Sequence, residues 1–217
     1  MNWLTEAFTY IFSTVAALLP IVNPLSAVGL VMTITADLDD KTRSEQVKRA
    51  CIYLFFILTT FLVAGGLIMN FFGISIPGLR ITGGLIVSYL GFRMLFPEAQ
   101  AISMQERAEA QLKADISFTP LAMPGLSGPG SIAVIIGMAS SMQQEDHVIV
   151  HYVLVAIGIA ITAVISYLVL RAATRLNDIL GSVGMNAIAR IMGFLLICIG
   201  VQFVINGIMD IVTGAKA

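Results

Sequence analysis

Two apolar stretches of the chain carry a proline directly after a residue that can begin a helix. Asn23 precedes Pro24 in the first stretch, and Gly128 precedes Pro129 in the second. Such pairs predict a new helix start, because proline is favoured at the first helical position and Asn or Gly is accepted at the N-cap. A helix start offers N–H donors to an anion such as a carboxylate, and unwound residues before it leave carbonyl oxygens for an ammonium group.

Titratable side chains are absent from the sequence around both pairs, so we expect a ligand to be bound by backbone groups and small neutral side chains. The candidate binding residues surround the two helix starts: Asn23, Pro24, Ser26, Ser127, Gly128, Pro129, Gly130 and Ser131. The candidate helix-breaking residues before these starts are Pro20, Pro120, Pro124 and Gly125. We expect the first half-helix to end at about Leu19, and either Ser127 or Gly128 to cap the later one.

The composition predicts an integral membrane protein. Of the 217 residues, 58% are hydrophobic and 12% are charged, and the mean hydropathy is +0.93. Soluble domains carry about 25% charged residues. The net charge of −1 gives no basic field for nucleic acid. Because no nucleophile–base pair, phosphate-binding loop or dinucleotide motif is present, we expect neither an enzyme nor a cofactor.

The two cysteines and the two histidines do not predict a functional site. Cys51 and Cys198 lie apart in apolar runs and are interpreted as small packing residues. His147 and His151 have a spacing that can bind metal on one helix face, but no second cluster accompanies them. We therefore expect exposed interfacial histidines and no metal site.

Six apolar segments exceed the roughly 20 residues that a helix needs to cross a bilayer. They cover residues 4–36, 50–72, 74–96, 117–141, 148–172 and 184–211. If all six cross, ten Lys and Arg residues lie on one side and two on the other. The positive-inside rule then predicts that both termini are outside, in the periplasm. If the first and fourth segments were re-entrant, the split would be eight against four, so full crossing is favoured.

The third and sixth segments share an Arg-led, glycine-bearing motif, "RITGGLIVSYLG" from Arg80 and "RIMGFLLICIG" from Arg190. With the two proline breaks, this motif divides the chain into three-helix repeats at 1–96 and 117–217, joined by a polar connection at 97–116. Because three is odd, the second repeat must be inverted, as in many secondary transporters. Arg80 and Arg190 are candidate gates, each on its own side, and snorkelling to the interface is the alternative.

Five glycines in the same two segments fall at intervals of seven residues. Gly193, Gly200 and Gly207 form one series, and Gly84 and Gly91 form the other. Small residues at such intervals predict close helix packing. The packing could lie within one protomer or in a homo-oligomer.

The stretches "LLPIVNPLS", "FGISIPGLRITGGLIV", "GFRMLFP", "PLAMPGLSGPGSIA" and "RIMGFLLICIGVQFVINGI" resemble the MarC family of bacterial inner-membrane proteins. The resemblance covers essentially the whole chain. It implies six helices with outside termini, and it places Asn23, Pro24, Gly128, Pro129 and Gly130 at the family's signature positions. The family is grouped with archaeal transporters of small neutral amino acids, which implies glycine or alanine as substrate by analogy.

The sequence therefore predicts an all-α integral membrane protein with six transmembrane helices, in two inverted three-helix repeats with broken helices 1 and 4. The predicted function is secondary transport of small neutral solutes, bound between half-helix N-termini at the membrane midplane. The expected partners are the lipid bilayer and the substrate, and coupling to H⁺ or Na⁺ is open. One alternative is a drug or metabolite exporter, which needs a wide apolar cavity. Another is a non-transporting membrane scaffold, in which both breaks are collapsed and dry.

Overall fold

The computed structural model describes residues 3–35, 38–96, 115–142 and 147–213, and the regular elements in these ranges are helices. They are α1 (Trp3–Val22), α2 (Pro24–Ile34), α3 (Asp40–Phe72), α4 (Ile76–Leu95), α5 (Ser117–Leu126), α6 (Pro129–Met142), α7 (Val148–Arg171) and α8 (Ala173–Val212). Residues 97–114 of the predicted polar connection lie outside the described ranges.

Four described helices are long and apolar enough to cross a membrane, and a bent pair makes a fifth candidate. The four are Trp3–Val22, Asp40–Phe72, Val148–Arg171 and Val183–Val212, and α5 and α6 form the pair, with a bend of 64°. The predicted third span, α4, is not among them, since it carries two arginines and four glycines. Six crossings therefore remain a prediction.

The first break confirms the predicted helix start at Pro24. Asn23 has a left-handed backbone (φ 46°, ψ 61°), and its side-chain oxygen accepts from the Ser26 N–H at 3.3 Å. The predicted end of the preceding half-helix near Leu19 is wrong, since α1 continues to Val22 with Pro20 inside it. Helical bonding survives the proline because the Asn23 N–H still donates to the Leu19 carbonyl at 3.0 Å. The unwound link is thus a single residue.

The second break is wider. In α5, hydrogen bonds reach back five residues, and the backbone is extended at Thr119 and Met123, each of which precedes a proline. The residue before a proline is driven out of the helical region by the proline ring. α6 then begins at Pro129, and the Gly128 carbonyl accepts from the Ile132 N–H at 3.2 Å, as expected of an N-cap.

Of the two predicted caps for α6, Gly128 occupies the position. The hydroxyl of Ser127 is buried and has no hydrogen-bond partner in the described chain, so Ser127 does not cap the helix. The Ser131 hydroxyl instead donates back to the Gly128 carbonyl at 2.9 Å. The start of α6 consequently has no side chain competing for its N–H donors.

The largest helix–helix contact in the described chain joins α4 and α8, which run antiparallel along a glycine seam. A Cβ added at Gly84 would lie 2.4 Å from the Gly200 carbonyl oxygen, and one at Gly91 would lie 2.6 Å from that of Gly193. Backbones this close exclude any larger residue. The glycine spacing therefore marks packing within one protomer, as one of the two sequence interpretations predicted.

One end of the bundle joins the starts of α3, α5 and α8. Arg49 lies 3.2 Å from the carboxylate of Asp115, and Arg43 donates to Thr174 at 3.3 Å. The hydroxyl and the backbone N–H of Ser117 also donate to Asp115 and lower the pKa of its carboxyl, which keeps it ionised beside Arg49.

The opposite end joins the N-terminal helix to α7, and α4 to α8. His151 Nε2 lies 3.1 Å from Glu6, and Arg80 is paired with Asp210. The buried apolar core lies between these two ends and is centred on α3, with Leu54, Leu58 and Leu62 fully enclosed.

Candidate functional site

A cavity of about 380 Å³ lies between the two helix breaks. α2 and the break before it contribute one wall, α6 and the break before it contribute a second, and α4 contributes a third. The lining residues are Ile21, Val22, Asn23, Ser26, Ala27, Leu30, Val87, Leu90, Arg93, Met94, Pro124, Gly125, Gly128, Gly130, Ser131 and Leu196. Residues at the starts of α2 and α6 thus line one shared cavity.

Most of the predicted binding residues line this cavity. Asn23, Ser26, Gly128, Gly130 and Ser131 are in the lining, whereas Pro24, Ser127 and Pro129 are not. Of the predicted helix-breaking residues, Pro124 and Gly125 line the cavity, while Pro20 and Pro120 do not. The two prolines that begin α2 and α6 therefore place their neighbours at the cavity and do not form its surface.

The polar groups of the cavity wall are small and uncharged on the α2 side. Asn23 uses its oxygen as the cap of α2, and its amide nitrogen lies 3.3 Å from the Met94 sulfur. The Ser26 hydroxyl is buried and has no partner among the described residues. Ser26 lines the cavity, and a ligand that displaces the groups covering its unpartnered hydroxyl can supply the missing hydrogen bond.

Gly130 closes one end of the cavity by close packing. A Cβ at this position would lie 2.9 Å from Val87 Cγ2 and 3.2 Å from Ile21 Cγ2. Val87 is fully buried. α6 can approach α1 and α4 this closely only because residue 130 has no side chain.

Of the lining residues that the sequence did not predict, α4 supplies four: Val87, Leu90, Arg93 and Met94. The Arg93 guanidinium also lies 6.0 Å from the centre of the Tyr89 ring. In the sequence, Arg93 was counted only as a charge at the end of an apolar segment. Which face of α4 meets the breaks depends on its packing against α8, and no local pattern in α4 reveals that face.

A second cavity, of about 250 Å³, lies along the first half of α4. It is lined by Ser13, Ala17, Leu79, Arg80, Gly83, Ala133, Val134, Gly137, Met138, Phe203 and Asn206. Contacts between α4 and α6 separate it from the first cavity: a Cβ at Gly83 would lie 2.8 Å from Ala133 Cβ, and Gly130 meets Val87. The two cavities therefore lie in line along α4, with a thin apolar barrier between them.

The two predicted gate arginines are placed differently. Arg80 lines the second cavity and is paired with Asp210 on α8, with 30% of its side chain exposed. Arg190 is exposed on α8, lines neither cavity, and forms no ion pair within the part of the chain that the structure describes. Of the two predicted gates, Arg80 therefore lies at a described cavity and in an ion pair, and Arg190 does not.

His151 departs from the expected exposed histidine. It is buried, lies 3.1 Å from Glu6, and stacks on Tyr10 with ring centres 4.5 Å apart. Across residues 3–35, 38–96, 115–142 and 147–213, no group of three potential metal ligands is found. His151 therefore joins α7 to α1.

Comparison with known proteins identifies relatives along almost the whole chain. A family model described as "MarC family integral membrane protein" matches residues 8–212. The protein named "UPF0056 inner membrane protein MarC" of Escherichia coli (strain K12) is 43% identical over 215 residues, which cover 95% of this chain and 97% of the relative. The protein of the same name from Shigella flexneri matches with the same identity and coverage. No solved structure matches the chain.

Proposed function

The chain belongs to the MarC family of integral membrane proteins, and we propose that it is a secondary transporter of small neutral solutes, such as glycine and alanine, in a bacterial inner membrane. The main support for this proposal is the cavity that is shared by the starts of α2 and α6. The relatives' names, which describe inner-membrane proteins, support this location.

The cavity has the size and chemistry for a small zwitterion. Its volume of about 380 Å³ lies near the lower end of the range of about 300–1,000 Å³ for small-molecule pockets. The first N–H groups of α2 and α6 would receive a carboxylate, because helix N-termini carry partial positive charge. Carbonyls whose helical donor is replaced by a proline at the breaks, together with the Ser26 hydroxyl, would accept from the ammonium group.

We propose that six helices cross the membrane as two inverted repeats. The helix contacts support this arrangement, since α2 packs on α8 as α6 packs on α4, and α1 packs on α7 as α5 packs on α3. A two-fold axis between the repeats would exchange Arg80 with Arg190. The same operation would bring the Gly84–Gly200 contact to within one residue of the Gly91–Gly193 contact. Contacts that agree in this way are expected of inverted repeats.

The orientation with both termini outside is supported by the residues that meet at one end of the bundle. Lys41, from the first connection, and Arg175, from the last, line a common cavity. If α1 with α2 and α5 with α6 were re-entrant, these connections would lie on opposite sides of the membrane. Full crossing places both connections inside, with the other Lys- and Arg-rich ends.

The two cavities in line along α4 suggest the route of alternating access. In the proposed orientation, the first cavity faces the inside and the second faces the outside, with Ile21, Val87 and Gly130 between them. Rocking of one repeat against the other would open this barrier and make the binding site accessible from each side of the membrane in turn. The Arg80–Asp210 pair, which ties α4 to α8, is the proposed outer gate.

The two alternatives are less well supported. An exporter of large apolar drugs needs a wider cavity than one closed by Gly130, Val87 and Ile21. A non-transporting scaffold needs breaks that are collapsed, whereas these breaks border about 380 Å³ of open space and leave the Ser26 hydroxyl without a protein partner.

Exchange in proteoliposomes tests the proposal. Vesicles containing the purified protein and loaded with unlabelled glycine or alanine should take up labelled glycine or alanine without any ion gradient, and vesicles loaded with lysine or glutamate should not. With the same Na⁺ concentration and the same pH on both sides, exchange can proceed whichever ion is coupled, so the result does not depend on the open question of H⁺ or Na⁺ coupling. If folded protein exchanges neither these solutes nor serine, the proposed function is wrong.

A further inference from the structure

A third cavity, of about 510 Å³, lies at the bundle end where the first turns of α3 meet the junction of α7 and α8. It does not touch the residues of the proposed transport route. Its described lining includes four basic side chains, Lys41, Arg43, Arg171 and Arg175, and one acidic side chain, Asp40. The described side chains therefore give this cavity an excess of positive charge.

Arg43 forms a fixed wall of the cavity. Its guanidinium is held by the hydroxyl and carbonyl of Thr35 at 2.9 and 3.1 Å, by Asp40 and Thr174 at 3.1 and 3.3 Å, and by the Leu38 carbonyl at 3.4 Å. These contacts use all five N–H donors of an arginine. Arg43 therefore contributes positive charge to the cavity but no free donor.

The other three cations have N–H donors that can bind a ligand. Lys41, Arg171 and Arg175 form no ion pair with the residues that the structure describes, and Arg171 lies 5.9 Å from the Tyr167 ring centre. Arg171 is the last residue of α7 and Arg175 lies in the first turn of α8, so the two side chains line the cavity from the two sides of the helix junction. An anion bound between them and Lys41 would be attracted by all three charges.

We propose that this cavity binds a phosphoryl anion, with an anionic phospholipid headgroup as the source that its position favours. Arginine and lysine recognise phosphate oxygens through charge-assisted hydrogen bonds, and basic pockets between helices at the cytoplasmic edge suit lipid headgroups. Val47 and Leu170 give the cavity an apolar wall next to the cations. The site is independent of the transported solute and would anchor the ends of α3, α7 and α8.

Binding of phosphatidylglycerol to the purified protein in neutral detergent, measured by native mass spectrometry against phosphatidylcholine, tests the site. The wild-type protein should prefer phosphatidylglycerol. Lys41→Gln should weaken its binding about fivefold, and Arg171→Gln with Arg175→Gln should weaken it about fivefold for each cation removed. Lys48→Gln is the matched control, because Lys48 is exposed on the same helix but does not line the cavity. Asp40→Asn should strengthen binding, since it removes the acidic residue of the described lining.

Competition by inorganic phosphate distinguishes the two sources of the anion. Weak displacement of the lipid by millimolar phosphate identifies a lipid site, whereas full displacement identifies a site for free phosphate. In both cases Lys41→Gln must act more strongly than Lys48→Gln. Equal effects of the two substitutions, or equal binding of the two lipids, would overturn the proposal.

Discussion

Asn23 has two roles, which follow from one conformation. Its left-handed backbone ends α1, and its side chain caps α2 through the Ser26 N–H while its amide nitrogen reaches Met94 across the first cavity. Asparagine is one of the few residues that tolerate this backbone region, since its short polar side chain bonds locally. The same residue thus breaks the helix and lines the proposed site.

At this residue scale, the proposed outer gate can be tested by charge exchange. Arg80→Asp and Asp210→Arg should each slow glycine exchange and lower stability by about 1–2 kcal/mol, because each leaves two like charges together in a partly buried place. The double exchange should restore both properties. Thermal unfolding and proteoliposome exchange measure the two effects.

Arg190→Gln provides the comparison for that experiment. Arg190 matches Arg80 in sequence but is exposed and forms no ion pair in the described ranges, so the substitution should leave the melting temperature unchanged. Restoration of neither property by the double exchange would show that the Arg80–Asp210 pair is not a gate.

At the scale of elements, the α4–α8 seam holds the two proposed repeats together. A Cβ at Gly200 would lie 2.3 Å from the Ser88 hydroxyl oxygen and 2.5 Å from the Gly84 carbonyl oxygen. Gly200→Ala should therefore destabilise the protein by about 1–3 kcal/mol or more, since the backbone of α4 must move away. Thermal unfolding in detergent measures the loss.

Gly29→Ala is the matched control on α2. Nothing lies within 4 Å of a Cβ at Gly29, and alanine is the better helix former by about 1 kcal/mol. This substitution should leave stability unchanged or raise it. If Gly29→Ala and Gly200→Ala lower the melting temperature equally, the antiparallel seam is incorrectly placed.

The sequence predicted the helices more closely than their contacts. The ends of α4, α6 and α7 fall within two residues of the predicted segments, because apolar length and proline position are local properties. The end of α1 was missed because loss of one hydrogen bond at Pro20 does not stop a helix when a later donor, the Asn23 N–H, still bonds to the Leu19 carbonyl. Arg93 and Met94 were missed because only packing on α8 turns them toward the breaks.

At the scale of the whole molecule, two sets of polar contacts define opposite ends. Arg43, Arg49 and Asp115 join chain segments at one end, and Glu6, His151 and the Arg80–Asp210 pair join segments at the other. A six-crossing topology accounts for both sets, because each end then contains the segments that share a side of the membrane.

Cysteine labelling from outside the cell tests this topology. With Cys51 and Cys198 replaced by alanine, single cysteines at Ile74 and Thr213 should react with a membrane-impermeant maleimide, and those at Lys41 and Arg175 should react only after permeabilisation. If the breaks were re-entrant, Ile74 and Thr213 would instead lie on opposite sides of the membrane. Lys41 and Arg175 would also lie on opposite sides from each other.

Glycine exchange by the Gly130→Ala variant tests most directly whether the space between the two breaks is the transport site. The added methyl group would lie 2.9 Å from Val87 Cγ2 and 3.2 Å from Ile21 Cγ2, at the barrier between the cavities. Exchange should fall about tenfold or more if the added methyl group costs the closed, substrate-bound state about 1–3 kcal/mol, because exchange must pass through that state. Gly29→Ala should exchange normally, and Val87→Ala should partly rescue Gly130→Ala. Exchange by folded Gly130→Ala at the wild-type rate would contradict a site in this cavity.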